Sequence, residues 1–166
     1  MISPQSRDFI VRALTPADLP HIRQLNMLFA DAFEDPDTYR SAPPVDDYVR
    51  QLLADPQIIV LASLVNAEVA GGLVAYELRK FEQQRSEIYL YDLAVAARFR
   101  RRGMASALLE RLCLIAEDRG ASCVFVQADY ADPPAIALYE KFGNREEVLH
   151  FDIRPRPCQS GRRRKP

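Results

Sequence analysis

Residues that bind metal ions or form disulfides are scarce in this chain, which has three cysteines and two histidines among its 166 residues. No two cysteines have the CxxC spacing, and neither His21 nor His150 has a metal-ligand spacing to a cysteine. Cys113 falls in an apolar helical pattern and Cys123 in a strand-like run, so we expect both to be buried, reduced thiols. The sequence thus predicts no metal site, no disulfide and no cysteine nucleophile.

Long apolar segments are also missing. No apolar run approaches the roughly 20 residues that span a bilayer, and the opening residues MISPQSRDF lack the apolar segment of a secretion signal. We therefore expect a cytoplasmic protein that does not bind membranes. A hydrophobic content of 48% and a charged content of 27% are ordinary for a globular protein, and the chain is long enough for one buried core.

Acidic residues are absent from the last thirteen positions, RPRPCQSGRRRKP. This tail carries six positive charges, so the net charge of −1 for the whole chain leaves −7 on residues 1–153. Its composition is typical of disorder, and the acidic body argues against a nucleic-acid-binding protein. We expect a single domain over residues 1–153, followed by a basic, disordered tail over residues 154–166.

Hydrophobic periodicity and turn residues predict the element order β-α-α-β-β-β-α-β-α-β. Strands are expected at Phe9–Leu14, Ile58–Val65, Val69–Leu78, Ser86–Val95, Cys123–Ala128 and Arg145–Ile153. Helices are expected from Pro16 (after an N-cap at Thr15) to Ala32, at Val45–Ala54 after an irregular acidic link, from Gly103 to Gly120, and from Pro133 (after a cap at Asp132) to Gly143. The middle strands predict an antiparallel meander, and residues 86–128 predict a parallel pair with a right-handed crossover. The fold class is α/β, a mixed central sheet with helices on both faces.

Four arginines come directly before the glycine that opens the third helix; they are Arg98, Arg100, Arg101 and Arg102, before Gly103. The first N–H groups of a helix have no partners inside it and point in the direction of the positive end of its dipole. Glycine permits close approach and arginine adds charge, so this segment predicts a binding site for a diphosphate. A P-loop is excluded because no GK[ST] follows, and a Rossmann turn because only one glycine is present.

Two segments carry a family resemblance. LAVAARFRRRGMASALL, residues 93–109, is similar to the coenzyme A-binding signature of the GNAT superfamily of N-acetyltransferases, with its Q/R-x-x-G-x-G/A motif at Arg100, Gly103 and Ala105. DPPAIALYEKFG, residues 132–143, resembles the second signature N-x-x-A-x-x-L-Y-x-x-x-G, with Asp132 in place of the usual asparagine. Within this superfamily, KFEQQRSEIYLYDLAV and VQADYADPPAIALYEKFGNREEVLHFDI look like aminoglycoside 3-N-acetyltransferases of the gentamicin-acetylating type. The resemblance covers most of residues 9–153 and implies the GNAT acyltransferase fold.

The resemblance implies acetyl-coenzyme A as the acyl donor. Its pantetheine arm would hydrogen-bond to the backbone of Leu93, Ala94 and Val95. Its pyrophosphate would accept from the N–H groups of Arg101, Arg102, Gly103, Met104, Ala105 and Ser106, with added attraction from the side chains of Arg100, Arg101 and Arg102. The resemblance also implies that Tyr139 lies near the thioester sulfur as general acid, because a phenol can protonate a departing thiolate. A core tyrosine on an amphipathic helix is the alternative.

We predict Asp92 as the base that accepts the proton of the acceptor amine, with Glu87 as its rival. Strict alternation would place Asp92 on the apolar face of Ile88 and Leu90, which would raise its pKa toward a useful range. A strand bulge would instead turn it toward the acceptor cleft. Glu87 would lie on the opposite face of a regular strand. Charge-based binding of substrate is the competing role for Asp92.

An aminoglycoside is a polycation, so acidic side chains should line its cleft. The candidates are Asp35, Glu87, Asp92, Asp129, Tyr130 and Asp132, with Glu146, Glu147 and Asp152 as further acids that could equally form a solvated strand face. A plain surface charge is the alternative for each acid. A role in substrate binding is favoured for these residues only if they lie together near the cofactor.

Together these expectations describe an acetyl-coenzyme A-dependent aminoglycoside 3-N-acetyltransferase that confers antibiotic resistance by direct transfer. Its partner would be a small polycationic aminoglycoside, and the resemblance also implies a homodimer. Two alternatives stay open. The first is a GNAT enzyme for another amine, such as a polyamine or a peptide N-terminus, and the second is a non-catalytic acyl-coenzyme A-binding module.

Overall fold

A five-stranded sheet lies at the centre of the computed structural model, which describes residues 8–153. The strands are β1 (Ile10–Ala13), β2 (Ile58–Val65), β3 (Glu68–Arg79), β4 (Ser86–Val95) and β5 (Val124–Val126). The helices are α1 (Leu19–Ala32), α2 (Pro36–Arg40), α3 (Asp46–Ala54), α4 (Met104–Asp118) and α5 (Pro133–Tyr139). The predicted tail over residues 154–166 lies outside the described residues.

The strands lie side by side in chain order, β1-β2-β3-β4-β5. The first four are antiparallel, while β5 is parallel to β4 and reached through α4. Asn66 and Ala67 close the turn between β2 and β3 with φ angles of 48° and 66°, as expected for a two-residue hairpin turn that matches the twist of its strands. The predicted mixed sheet, a meander plus a parallel pair, is confirmed.

Helices cover both faces of the sheet, as predicted. On one face, Leu25 and Phe29 of α1 and Val49 of α3 form a buried core with the sheet. On the other face, Leu108 and Leu112 of α4 pack against β2, β3 and β4. Burying each such side chain contributes about 2 kcal/mol to the free energy of folding. No helix among residues 8–153 is long and apolar enough to cross a membrane.

The first helix begins later than predicted, at Leu19 rather than Pro16. The carboxylate of Asp18 accepts hydrogen bonds from the backbone N–H and the hydroxyl of Thr15, both at 2.8 Å. Arg12 donates to the same carboxylate at 2.6 and 3.0 Å. Thr15 therefore belongs to a turn that precedes the helix and is not its N-cap.

The acidic link predicted to be irregular contains α2. Asp35 caps this short helix by accepting a hydrogen bond from the N–H of Thr38 at 3.0 Å, and Pro36 opens it. An Asp-Pro pair is typical of a helix start, so the sequence contained a signal for α2.

The predicted last strand, Arg145–Ile153, is wrong. These residues form no strand and are exposed. The neighbouring β5 is only three residues long, and the contact from this segment to the chain after β5 is made by side chains, between Gln127 and His150 at 3.0 Å. Alternating apolar residues favour a strand only where a partner strand offers backbone hydrogen bonds.

The predicted burial of Cys113 and Cys123 is also wrong, because both thiols belong to exposed residues. Leu112 and Ala116 of α4 face the sheet, and Cys113 lies next to Leu112 on the solvent side. Burial therefore gives no reason to exclude a cysteine nucleophile.

Candidate active site

A bulge in β4 determines which side chains meet at the candidate site. Val74 of β3 pairs with Asp92, but the next residue of β3, Ala75, pairs with Leu90. Tyr91 therefore has no partner opposite it in β3. One extra residue in a strand reverses the faces to which all later side chains point.

The consequence is visible in the packing on the two faces. Leu90 before the bulge and Leu93 after it both pack against the α4 core, whereas Ala94 packs with the α1 core. Asp92 lies on the α1 side, so the bulged geometry is the one observed. Glu87 lies on this same face and not on the opposite one, as a regular strand would have placed it.

The carboxylate of Asp92 is enclosed by α2. The hydroxyl of Tyr39 donates a hydrogen bond to it at 2.9 Å, and the Tyr39 ring packs against Phe29 and Phe33 with both centroids 5.8 Å away. Burial raises the pKa of Asp92 above its usual value, while the hydrogen bond from Tyr39 opposes part of that shift. Asp92 is thus a half-buried carboxyl whose pKa is moved toward neutrality.

Glu87, the rival candidate for the base, is neutralised by neighbouring cations. Its carboxylate lies 3.1 Å from the ammonium of Lys80 and 3.6 Å from the guanidinium of Arg85. An acceptor amine would have to displace these two cations to reach the Glu87 carboxylate. The geometry therefore favours Asp92 over Glu87 for proton transfer.

Sequence reasoning missed the aromatic side chains that surround Asp92. Tyr76 of β3, Tyr89 and Tyr91 of β4 and Phe125 of β5 form a continuous row of ring contacts with centroids 4.9 to 5.8 Å apart. The signal was present in the stretch IYLYD of β4, which places aromatic residues at alternate positions before Asp92. The site is therefore both acidic and aromatic.

The second half of β4 has an open edge. β5 pairs with β4 only between Ile88–Leu90 and Val124–Val126, so the two strands separate beyond Leu90. The residues predicted to bind a pantetheine arm, Leu93–Val95, lie on this unpaired edge. Apart from the Val95 carbonyl, which accepts from Arg100, backbone groups on such an edge can bond an extended ligand in the manner of an added strand.

The loop before α4 presents backbone N–H groups without partners. Within the described residues, the N–H groups of residues 101–106 donate to no carbonyl or side chain, and the first bond of the helix runs from Ala107 to the carbonyl of Gly103 at 3.0 Å. Arg101 and Gly103 have positive φ angles of 64° and 80°, an alternation that forms anion-binding concavities. These residues fit a diphosphate and hence coenzyme A.

The side chains of the first two arginines point elsewhere. Arg98 forms an ion pair with Glu68, and Arg100 donates from Nε to the carbonyl of Val95 at 3.1 Å. Both side chains line a cavity of about 930 Å³ between α1 and the β2–β3 turn. Arg100 thus helps to close the loop after β4.

The other two arginines differ in their environment. Arg102 lies 3.7 Å from the carboxylate of Asp8, and its guanidinium stacks 5.5 Å from the ring centroid of Phe99. Arg101 is exposed and has no ion pair or side-chain hydrogen bond within residues 8–153. Of the side chains of residues 100–102, which we predicted to attract the pyrophosphate, Arg101 is therefore the main candidate.

Tyr139, the predicted general acid, lies at the end of α5 and packs with Leu138 against the α4-side core. Burial, with a smaller contribution from the charge of Asp132, raises the pKa of Tyr139 to about 12. The phenol therefore keeps its proton at neutral pH, as a general acid must. Its packing equally fits a core tyrosine.

The other predicted substrate ligands have local structural partners. Asp35 and Asp132 cap α2 and α5, Asp129 accepts a hydrogen bond from the N–H of Ala131 at 2.8 Å, and Tyr130 is exposed. In the following segment, Glu147 pairs with Arg145, Asp152 pairs with His150, and Glu146 is exposed. These contacts account for the acids that make them without a substrate, whereas Asp92 is bonded instead to Tyr39 of a distant segment.

Known proteins of similar sequence and structure include acetyltransferases. The model of the acetyltransferase (GNAT) family matches residues 22–143. The crystal structure of an aminoglycoside acetyltransferase from an uncultured soil metagenomic sample is 51% identical, with a TM-score of 0.86 over 89% of this chain and 99% of that one. Another soil metagenomic aminoglycoside acetyltransferase, in complex with sisomicin, is 28% identical, with a TM-score of 0.82 over 89% of this chain and 97% of that one.

A curated relative has a different acceptor in its name. The ribosomal protein bS18-alanine N-acetyltransferase of Escherichia coli strain K12 is 33% identical over 69 residues, which are 42% of this chain and 47% of that protein. The chain spans about half of the length of the curated relatives that it matches.

Proposed function

The chain belongs to the acetyltransferase (GNAT) family, and on that premise we propose that it acetylates the 3-amino group of gentamicin-type aminoglycosides with acetyl-coenzyme A, thereby conferring resistance. The observation that carries this proposal is the placement of Asp92. The bulge in β4 turns this half-buried carboxylate onto an aromatic face, beside the open edge of the same strand. The likeness to two aminoglycoside acetyltransferases supports the choice of acceptor.

The donor site rests on two backbone features. The unpartnered N–H groups of residues 101–106 would hold the pyrophosphate of coenzyme A, and the edge at Leu93–Val95 would bond the pantetheine arm. When bound, acetyl-coenzyme A supplies an acetyl thioester, which is an activated acyl group. Holding it at a fixed edge converts a bimolecular encounter into a positioned reaction.

Two side chains would move the protons. Asp92 accepts the proton of the acceptor amine, because only a neutral amine is a nucleophile, and burial moves the pKa of Asp92 toward the range in which a carboxylate does this well. As the amine nitrogen bonds to the acetyl carbon and the carbon–sulfur bond breaks, Tyr139 would donate its hydroxyl proton to the leaving sulfur. Asp92 and Tyr139 together supply both proton transfers without an acetylated residue, which supports direct transfer to the amine.

The test is thiol release from acetyl-coenzyme A on mixing the protein with gentamicin, spermidine or a peptide with a free N-terminus. We expect gentamicin to be the preferred acceptor by kcat/KM, and mass spectrometry and NMR of the product to place one acetyl group on the 3-amino nitrogen. Acetylation at another nitrogen would contradict the 3-N assignment. Release with none of the three amines would contradict the aminoglycoside proposal.

Acetylation of a peptide N-terminus is the second candidate function. It is favoured by the likeness to the ribosomal protein alanine N-acetyltransferase, although that likeness covers only 42% of this chain. A peptide that begins with alanine separates the two proposals, because it offers a single ammonium group whereas gentamicin offers several. Preference for the peptide would replace the aminoglycoside as the acceptor.

A further inference from the structure

We propose that Tyr76, Tyr89 and Tyr91 form, together with Asp92, a binding site for an ammonium group of the acceptor. We call these three tyrosines the tyrosine cage. The proposal rests on the proposed function, because it names how that same site recognises its acceptor. The chemical class that it selects is an organic cation that carries an ammonium group.

The ring geometry of the tyrosine cage suits a cation. The ring of Tyr91 stands nearly perpendicular to the rings of Tyr76 and Tyr89, with interplanar angles of 89° and 77° and centroids 5.8 and 5.6 Å away. These are edge-to-face contacts, which occupy one side of a ring, and the other face of an exposed ring remains available to a cation. The bulge is the cause of this arrangement, since the extra residue that it inserts into β4 is Tyr91.

The cage is held in place and open to solvent. Tyr89 stacks on Phe125 at 4.9 Å with an interplanar angle of 6°, and its hydroxyl donates to the side chain of Gln127 at 2.9 Å. Tyr91 remains 61% exposed. A ligand can therefore reach the rings without displacing the core.

The charge balance around the cage favours a cation. Burial, with a smaller contribution from the negative charge of nearby Asp92, raises the pKa values of Tyr76 and Tyr89. Lys80 and Arg85 are paired with Glu87, so neither is a free cation that would compete for Asp92. An incoming ammonium would gain attraction from both the rings and the carboxylate.

Two substitutions of the same residue test the role of the ring. Tyr91→Phe keeps an aromatic face, so we expect the KM for gentamicin to stay within about twofold of the original. Tyr91→Leu removes that face, and we expect the KM for gentamicin to rise about fivefold or more. Neither change should alter the KM for acetyl-coenzyme A. Equal gentamicin KM values for the two variants would overturn the proposal.

Phe81→Leu is the matched control, because it replaces a fully exposed ring in the β3–β4 loop, outside the cage. It should leave the gentamicin KM unchanged. An increase equal to that of Tyr91→Leu would mean that loss of any surface ring has this effect, and the cage would be rejected.

A binding titration separates failure of the cage from failure of the proposed function. The chain has no tryptophan and seven tyrosines, three of them in the cage, so the difference between the tyrosine-fluorescence titrations of the original protein and Tyr91→Leu reports on the cage. We expect gentamicin to change this fluorescence, and we expect sucrose, a neutral sugar, to leave it unchanged. Binding without thiol release would reject the proposed function and support the cage. Thiol release with an unaltered titration in Tyr91→Leu would reject the cage alone.

Discussion

The hydroxyl of Tyr39 and the carboxylate of Asp92, 53 positions apart in the chain, are joined by a 2.9 Å hydrogen bond. Tyr39 belongs to the short helix α2, and its ring is fixed by Phe29 and Phe33 of the α1 region. The bond therefore ties the helical layer to the central strand at the point where β4 bulges. It also opposes part of the rise that burial causes in the pKa of Asp92, because a donor to a carboxylate stabilises its charged form.

Removing this hydrogen bond should shift the pH dependence of the reaction. In Tyr39→Phe the ring packing is kept, but Asp92 loses the donor that lowers its pKa. The pKa of Asp92 then rises further, so the acidic limb of the kcat/KM profile should move to higher pH. Tyr48→Phe, which removes the hydroxyl of an exposed tyrosine, should leave the limb in place. An unshifted limb in Tyr39→Phe would show that Asp92 does not control it.

Replacing Asp92 itself should abolish most of the turnover. Asp92→Asn keeps the size of the side chain but cannot accept the proton of an amine, so we expect kcat to fall by a factor of about 100 to 10,000. The Kd for acetyl-coenzyme A should stay the same. Glu87→Gln is the matched control, because Glu87 lies on the same face and is ion-paired, and its kcat should change little. The reverse ranking would identify Glu87 as the base.

The loop before α4 gives a test of donor binding with an internal control. A Cβ at Gly103 would meet no atom within 4 Å, but the φ angle of 80° disfavours any side chain. In Gly103→Ala we expect the loop to relax and the amides to turn, so that acetyl-coenzyme A must restore a backbone conformation that costs about 1 kcal/mol, raising its Kd about fivefold.

Gly120→Ala is the control for this effect. Gly120 lies beyond the other end of α4 with a φ angle of 66° and equally free space. It should lose similar stability in urea unfolding while its Kd for acetyl-coenzyme A, measured by calorimetry, stays unchanged. Equal effects of the two substitutions on the Kd would reject the loop amides as the donor site.

Tyr139→Phe tests the proton donor. The phenol keeps its proton at neutral pH because its pKa is raised to about 12, so its loss should lower kcat about 100-fold with little change in acetyl-coenzyme A affinity. The Phe ring preserves the packing against the core, so thermal unfolding should occur at nearly the same temperature. Unchanged turnover would assign Tyr139 to the core.

Much of the central fold was predictable because its signals are local. The two middle strands Ile58–Val65 and Ser86–Val95 have the predicted bounds, since each is a run of apolar, β-branched or aromatic residues closed by turn residues. The start of α4 was also predictable, because Gly103 is followed directly by apolar residues at helical spacing.

The errors have a common cause as well. The pattern over Arg145–Ile153 is that of a strand, but a strand exists only with a partner, and β5 provides just three residues. Cys113 lies in an apolar helix, but which side of α4 faces the sheet depends on packing against β2, β3 and β4. Neither outcome can be read from the segment alone.

Sequence was therefore sufficient for the meander, the parallel crossover and the glycine that opens α4, and with the family resemblance it named Asp92 and Tyr139 as candidates that stay predictions. The sequence did not decide on which face of the sheet Asp92 lies. A bulge of one residue in β4 has little local cost, and the register with β3 determines whether it forms. The hydrogen bond from Tyr39 and the tyrosines around Asp92 emerged only once distant segments had packed together. Their contacts join residues far apart in the chain, and the periodicity of one segment carries no information about the segment that will lie beside it.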